Sequence, residues 1–98
     1  MDGLEILSQF FNKAGKDTRI GVRHIGLYVT LFQLASEQGF DKPLLTFSSK
    51  VMKVAKISST ATYYRLLRDL NAFGYIFYRP SFYKGRGSEI QLAVAFSL

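Results

Sequence analysis

Apolar side chains recur at helical spacing through the first forty residues of the chain. Leu4, Leu7, Phe10 and Phe11 keep this period behind Asp2, a residue type that caps helices, and predict a helix over residues 2–13. Residues 19–39 carry two adjoining apolar stripes, one of Ile25, Tyr28, Val29 and Phe32 and the other of Leu27, Leu31, Leu34 and Ala35. Because two apolar faces need two partners, we expect this second helix to contact the core on one face. The first helix or a second copy of the chain would cover the other.

The next segment alternates extended and helical patterns. Gly39 is predicted to end the second helix, and the turn Asp41-Lys42-Pro43 leads into an extended piece, Leu44-Leu45-Thr46. Residues 47–56 predict a short helix that points Lys50 and Lys53 outward. Its inward face is predicted to hold Phe47, Val51, Val54 and Ala55.

A longer helix is predicted over residues 58–73, because Ser58-Ser59-Thr60 is a strong helix-start signal and Gly74 a stop signal. Its inward face is predicted to hold Tyr63, Leu66, Leu67 and Leu70, and its outward face Ala61, Thr62, Arg65 and Arg68. β-branched and aromatic residues then predict two strands joined by a loop rich in Gly, with Pro80 at its start. Residues 75–95 are therefore expected to form a hairpin.

The composition fits one small folded domain rather than a disordered tail. With 98 residues, 48% of them hydrophobic, the chain can bury a single core, and the order of elements predicts a mainly helical α+β fold. The absence of cysteine excludes disulfides and thiolate metal sites. The sequence has no basic leader and no apolar run of membrane-spanning length. We therefore expect a soluble cytoplasmic protein that makes no membrane contact.

Positive charge is concentrated in the second half of the chain. Between Ser48 and Ser88 stand eight basic residues and one acidic residue, Asp69, whereas residues 1–47 carry five charges of each sign. This segment accounts for the whole formal net charge of +6. Focused positive potential attracts phosphate chains, and release of their counterions favours contact. A nucleic acid is the partner that this distribution favours.

The order of elements resembles the winged helix-turn-helix domain of bacterial DNA-binding regulators over about residues 20–94. The most specific part is Ile57-Ser58-Ser59-Thr60 followed by Leu66-Leu67-x-x-Leu70-x-x-x-Gly74-Tyr75-Ile76, which is similar to that family's recognition helix and the strand after it. Two departures are Lys56, where the family often has glycine, and one additional residue between Ile57 and the leucines. The resemblance implies one winged-helix domain over residues 1–98, with an extra N-terminal helix (2–13), a first core helix (19–39), a second helix (47–56), a recognition helix (58–73) and a two-stranded wing (75–95).

The resemblance also implies a set of DNA-binding residues. The recognition helix would enter the major groove, where Ser59, Thr60 and Thr62 contact base edges or phosphates, Arg65 pairs with guanine and Arg68 contacts phosphate. The preceding helix would hold the DNA backbone through Lys50, Lys53 and Lys56. The wing would place Arg79, Lys84 and Arg86 over an adjacent groove, with Arg86 suited to a narrow minor groove. Tyr83 at the loop tip would either stack on a base of single-stranded nucleic acid or pack under the wing.

No catalytic, cofactor or metal motif accompanies these residues. His24, the only histidine, has no carboxylate or cysteine at ligand spacing, and the seven acidic residues are scattered. No serine stands in a nucleophile elbow, and Lys84-Gly85-Arg86-Gly87 lacks the spacing of a phosphate-binding loop. We therefore expect neither an enzyme nor a bound cofactor or metal ion.

The sequence thus predicts sequence-specific binding of double-stranded DNA, by a transcriptional regulator or an accessory factor of mobile DNA. Two alternatives stay open: a DNA-docking module in replication initiation or plasmid maintenance, and a winged helix whose basic face binds an acidic protein. A homodimer is also expected. The first two helices and the tail Leu92-Ala93-Val94-Ala95-Phe96 offer more apolar surface than one small core needs.

Overall fold

The computed structural model describes residues 2–81 and 87–93 of the chain. This described part is a mainly helical α+β domain with four helices and one three-stranded antiparallel sheet. The four helices lie within three residues of the predicted bounds at each end. The elements are α1 (Gly3–Ala14), α2 (Val22–Gln38), β1 (Leu44–Thr46), α3 (Ser48–Ala55), α4 (Thr60–Ala72), β2 (Ile76–Arg79) and β3 (Ser88–Leu92).

Three of the sequence signals for helix ends, Asp2, Gly39 and Gly74, act as predicted. Asp2 caps α1, where its Oδ1 accepts the Glu5 N–H at 2.8 Å. Gly39 and Gly74 follow α2 and α4 at φ values of 98° and 85°, which residues with a Cβ rarely adopt. At Gly74 the chain turns back so that the Tyr75 N–H reaches the Leu70 carbonyl at 2.8 Å, the hydrogen bond of a Schellman motif.

The sheet has one strand more than the predicted two-stranded hairpin. The strand order is β1-β3-β2, so β3 lies in the middle and pairs on one side with Leu44–Thr46. The inner face is apolar: Leu44, Ile76 and Ile90 are each exposed by 2% or less. Gly87, just before β3, lies so near β1 that a Cβ there would stand 2.7 Å from the Thr46 carbonyl oxygen. The extended piece was predicted, but its pairing with the hairpin was not.

Side-chain amides cover both edges of this sheet. Gln38 from the end of α2 donates to the Leu45 carbonyl at 2.8 Å and accepts the Leu45 N–H at 3.1 Å. On the opposite edge, Asn71 of α4 accepts the Tyr78 N–H at 3.1 Å. Each amide therefore takes the place of a backbone group in a further strand, which protects edges that otherwise invite strand addition.

Helix α2 lies at the centre of the core, and α1 contacts part of its second apolar face, where Val29 remains 37% exposed. Leu27 and Leu31 of α2 are fully buried beside α4 and α3, and the Phe10 ring of α1 stacks on Tyr28 at 3.8 Å between ring centres. Burial raises the pKa of the Tyr28 hydroxyl to about 12. The prediction of two partners for α2 is confirmed, and α1 is one of them.

The predicted inward face of α3 was wrong, and the apolar positions that predicted α1 coincide only in part with its buried side chains. In α1 the buried side chains are Ile6, Phe10 and Ala14, whereas Leu4 is 77% exposed and Phe11 47%. In α3 only Val51 is buried, and Phe47 and Val54 are about half exposed. Both helices carry more apolar residues than one contact face can hold, so periodicity alone did not identify the buried subset.

The last turn of α1 and the segment that follows it bind the far end of α4. Lys13 donates to the carbonyls of Phe73 and Gly74, at 3.1 and 3.2 Å, and thereby caps the C-terminus of α4. The Asp17 carboxylate accepts hydrogen bonds from the Arg19 side chain and from the Tyr75 hydroxyl. The Arg19 guanidinium holds the pKa of Asp17 well below its ordinary value. No helix of the described residues is long and apolar enough to cross a membrane.

Candidate nucleic-acid interface

One face of α4 is open to solvent along its whole length. Ala61, Arg65, Arg68 and Ala72 follow one another at helical spacing and are all exposed, while Tyr63, Leu66, Leu67 and Leu70 are buried as predicted. At the start of the helix, Ser58, Ser59 and Thr60 are also exposed. Among the described residues, none of the other elements covers the N-terminal end of α4. A ligand can therefore reach both this end and the two arginines.

The start of α4 differs slightly from the prediction, and this changes the role of Ser59. The helix begins at Thr60, and Ser59 is its N-cap, whose Oγ accepts the Thr62 N–H at 3.2 Å. The hydroxyl oxygen is thus engaged in capping, although its hydrogen can still be donated. Thr60 is exposed and Thr62 half-buried at the same end.

Arg65 and the buried His24 both approach the carboxylate of Asp69. Nη1 of Arg65 lies 3.9 Å from Oδ2 of Asp69 one turn along α4, and the Arg65 side chain is 56% exposed. The same Asp69 oxygen accepts a hydrogen bond of 2.9 Å from Nε2 of His24, which is buried in α2. His24 Nδ1 accepts the Gly21 N–H at 3.0 Å, so the ring proton lies on Nε2. The single acidic residue of the basic segment therefore connects α2 to the exposed face of α4.

Arg68 lies on the same open face, three residues after Arg65. Its Nε donates to the Tyr64 carbonyl at 3.2 Å, which leaves the terminal nitrogens of the guanidinium directed away from the helix backbone. Arg65 and Arg68 thus stand on one exposed ridge of α4, and Arg65 lies near the Asp69 carboxylate that bonds His24 of α2.

The three lysines of α3 and the following turn are exposed. Lys56 closes α3 in the left-handed conformation, with φ 62° and ψ 38°, and the next residue, Ile57, donates its N–H to the Met52 carbonyl at 2.9 Å. Glycine adopts this backbone shape without a steric penalty. Here a lysine occupies the position despite the steric cost of its Cβ.

A groove of about 330 Å³ joins the turn to the N-terminal ends of α2 and α4. Lys56, Ser59 and Thr62 line it on one side, and Arg23 and Gly26 of α2 line it on the other. A Cβ added at Gly26 would meet nothing within 4 Å, so the groove is open at this position. Sequence reasoning missed Arg23, because it falls in the charge-balanced half of the chain and no local motif connects it to α4.

The remaining predicted residues do not join this cluster within the described part. Arg79 lies on the outer face of the sheet, where it is 83% exposed and 3.8 Å from Glu89 of the neighbouring strand. Tyr83, Lys84 and Arg86 lie outside the described residues. The structure therefore brings together Lys56, Ser59 and Thr62 with Arg23, and places Arg65 and Arg68 on the adjoining ridge.

Comparison with known proteins gives no further assignment. Neither a family model, a curated protein nor a solved structure matches the chain significantly. Within residues 2–81 and 87–93, no three His, Asp or Glu side chains come close enough together to hold a metal ion. The interface must therefore be interpreted from its own geometry.

Proposed function

We propose that this protein is a winged helix-turn-helix domain that binds double-stranded DNA sequence-specifically, as a transcriptional regulator or an accessory factor of mobile DNA. The observation that carries the proposal is the open N-terminal half of α4 with Arg65 on its exposed ridge. A helix is about 10–12 Å across with its side chains, and the major groove of B-form DNA is about 12 Å wide. Only that groove admits a helix and presents a distinct pattern on each base pair.

Each part of the basic surface has a separate role in this proposal. Arg65, near the start of α4, contacts a guanine edge through two parallel hydrogen bonds, while Arg68 contacts phosphate. Lys50, Lys53 and Lys56 approach the sugar-phosphate backbone from α3. Asp69 does not block this, because an exposed ion pair of 3.9 Å contributes little and exchanges readily for a phosphate or base contact.

Selection of bound duplexes from a random pool tests the proposal directly. We expect one recovered motif, and binding to it that exceeds binding to random duplex by a factor on the order of 10³ or more. Binding should weaken steeply with salt, with a slope of about −0.9 for each phosphate contact on a logarithmic scale. Recovery of no motif, with equal affinity for all duplexes, would contradict base reading and favour the DNA-docking alternative.

The same experiment distinguishes the remaining alternatives. Tighter binding to single-stranded than to duplex DNA would contradict the proposed docking of α4 in the major groove. Absence of binding to any nucleic acid at low salt would overturn the proposal as a whole and leave an acidic protein as the partner of the basic surface.

A further inference from the structure

His24 lies at the third helical position of α2, between this helix and α4. It is the only histidine of the chain and is 8% exposed. Gly21, the residue before the helix, has no side chain that could cap it. Instead, Nδ1 of His24 reaches back and accepts the Gly21 N–H at 3.0 Å, as a glutamate or glutamine does at this position in a capping box. His24 therefore forms half of a capping box at the start of α2.

The two ring nitrogens of His24 have opposite hydrogen-bonding roles. Nδ1 accepts the Gly21 N–H, whereas Nε2 donates to the Asp69 carboxylate of α4 at 2.9 Å. Only the neutral imidazole with its proton on Nε2 can make both bonds. A second proton must bind Nδ1, which then faces the Gly21 N–H as donor against donor. Protonation breaks the bond to Gly21 and strengthens the bond to Asp69, because hydrogen bonds between two charged groups are the strong ones.

Charged groups around the imidazole act on its protonation in both directions. The Asp69 carboxylate favours the protonated ring, and Arg65, 3.9 Å from the same carboxylate oxygen, opposes it. The Phe73 ring lies 6.4 Å from the imidazole between ring centres, and it carries the Arg19 guanidinium, which is paired with Asp17. Histidine ordinarily changes charge between about pH 5 and 8, whereas carboxyl groups titrate near pH 4. A response of this chain between about pH 7 and 5.5 would therefore belong to its single histidine.

We propose that His24 is a proton-sensitive positioning residue, which holds the start of α2 in place when neutral and releases it when protonated. Val22 and Arg23, the first two residues of α2, line the groove opposite Lys56. The bond from the Gly21 N–H to the ring fastens this first turn to its own helix and, through the imidazole, to α4. Loss of that bond lets the first turn fray and withdraws Arg23 from the groove.

Nuclear magnetic resonance of the protein without DNA tests the inference. We expect the nitrogen-15 shifts of the imidazole to show a bare Nδ1 and a protonated Nε2 at neutral pH. As the ring gains its second proton, the Gly21 amide signal should shift with the same midpoint. The amides of Gly21 and Ile25, which bonds the Gly21 carbonyl, should lose about fivefold in protection from hydrogen exchange, taken relative to an unstructured chain at the same pH. The Leu31 amide, in the buried middle of α2, should keep its protection.

Two variants separate the charge of His24 from its contacts. The side-chain amide in His24→Gln has both an acceptor oxygen and a donor nitrogen, so it can replace both bonds of the neutral ring. This variant should keep its helical circular dichroism, and its Gly21 amide should no longer respond between about pH 7 and 5.5. Asp69→Asn should shift the response of the Gly21 amide to lower pH, because it removes the carboxylate that favours the protonated ring.

Three results of these measurements would overturn the inference. The first is a Gly21 amide whose signal and protection ignore the titration of His24. The second is an imidazole that stays neutral down to about pH 5. The third is a Gly21 response that persists unchanged in His24→Gln.

The consequence for DNA rests on the proposed function. An added positive charge ordinarily strengthens DNA binding, whereas withdrawal of Arg23 predicts the opposite. Wild-type affinity for duplex, measured by fluorescence anisotropy, should fall about fivefold between about pH 7 and 5.5, the contribution of one phosphate contact at physiological salt. His24→Gln should show no such fall, and Arg23→Ala a smaller one. A wild-type gain of affinity in acid that His24→Gln lacks would contradict this step.

The resonance and anisotropy experiments distinguish the two ways of failing. A Gly21 amide that responds to His24 in a chain that binds no duplex would contradict the proposed function and support the proton-sensitive start of α2. Duplex binding with an unresponsive Gly21 amide would do the reverse.

Discussion

Lys56 is the one residue other than glycine with a positive φ among the residues that the structure describes. A side chain in the left-handed region costs about 1–2 kcal/mol, which glycine avoids. The lysine therefore lowers the stability of the turn. It is exposed and lines the groove, so on the proposed interface its positive charge adds affinity for DNA that glycine could not supply.

Substitution of this residue should separate stability from binding. Lys56→Gly is expected to raise the free energy of unfolding by about 1 kcal/mol, because the strain is relieved. Lys56→Ala is the matched control, since it removes the same charge and keeps the Cβ. Both variants should lose DNA affinity to the same extent, measured by fluorescence anisotropy, while only the glycine variant gains stability in urea. Equal stability of the two variants would contradict the role of backbone strain.

The Asp17 carboxyl should contribute to how the free energy of unfolding falls at acidic pH. Its folded-state pKa lies below the unfolded value because of the Arg19 hydrogen bonds, so its contribution is present above about pH 4 and is lost as pH falls further. Asp17→Asn should therefore be less stable than the wild type at neutral pH. Its free energy of unfolding should also decline less steeply below pH 4. Arg19→Ala should also make the free energy of unfolding decline less steeply below pH 4, since it removes the cation that lowers the pKa of Asp17. Urea denaturation between neutral and acidic pH measures both.

At the scale of elements, the sequence predicted the helices well and their contacts less well. Caps and glycine stops are local signals, so Asp2, Gly39 and Gly74 could be identified without a partner. The buried face of α1 could not, because Leu4 and Phe11 and the buried pair Ile6 and Phe10 both fit a helical period. The same limit applies to the pairing of β1 with β3, whose residues are more than forty positions apart.

Gln38 provides a test at this scale, because its amide covers the free edge of β1. Gln38→Ala leaves the Leu45 N–H and carbonyl to solvent and should lower the free energy of unfolding by about 1 kcal/mol. The uncovered edge should also increase aggregation at high concentration, visible by light scattering. Gln33→Ala changes another exposed glutamine of α2 and serves as the control. Equal behaviour of the two variants would show that the amide does not protect the edge.

At the scale of the whole molecule, charge divides the chain into a balanced half and a basic half. Sequence reasoning identified the ridge of α4 and the α3 lysines because their spacing is local. It could not connect Arg23 to them, since this contact depends on how α2 crosses the start of α4. Asp69 was counted only as a charge, and its hydrogen bond to His24 appears only when the two helices pack.

Substitutions of one arginine and one lysine should distinguish contact with a base from general electrostatic attraction to DNA. Arg65→Ala is expected to cost about 1–3 kcal/mol on the selected site and to relax sequence preference there. Lys53→Ala should weaken selected and random duplexes about equally and reduce the salt slope by about 1. Competition anisotropy on both duplexes measures the difference. Equal losses on both duplexes for Arg65→Ala would contradict its contact with a base.

Arg23 should behave as a phosphate contact although it belongs to the balanced half of the chain. Because it lines the groove with Lys56, Arg23→Ala is expected to lower affinity for all duplexes and to reduce the salt slope by about 1. Lys42→Ala, at the far end of α2, removes an exposed cation away from the groove and should change neither quantity. An effect of Lys42→Ala as large as that of Arg23→Ala would show that only net charge matters.

Asp69 connects the buried core of the domain to the exposed ridge of α4, because its Oδ2 lies within 4 Å of both His24 and Arg65. A change behind α4 that shifts His24 moves this carboxylate and so alters how strongly it attracts Arg65 before DNA binds. On the proposed interface, the release of Arg65 for a DNA contact can thus be tuned from the interior, by substitutions that never touch the DNA. The variants that alter recognition in this domain should include residues packed around His24 as well as those on the surface.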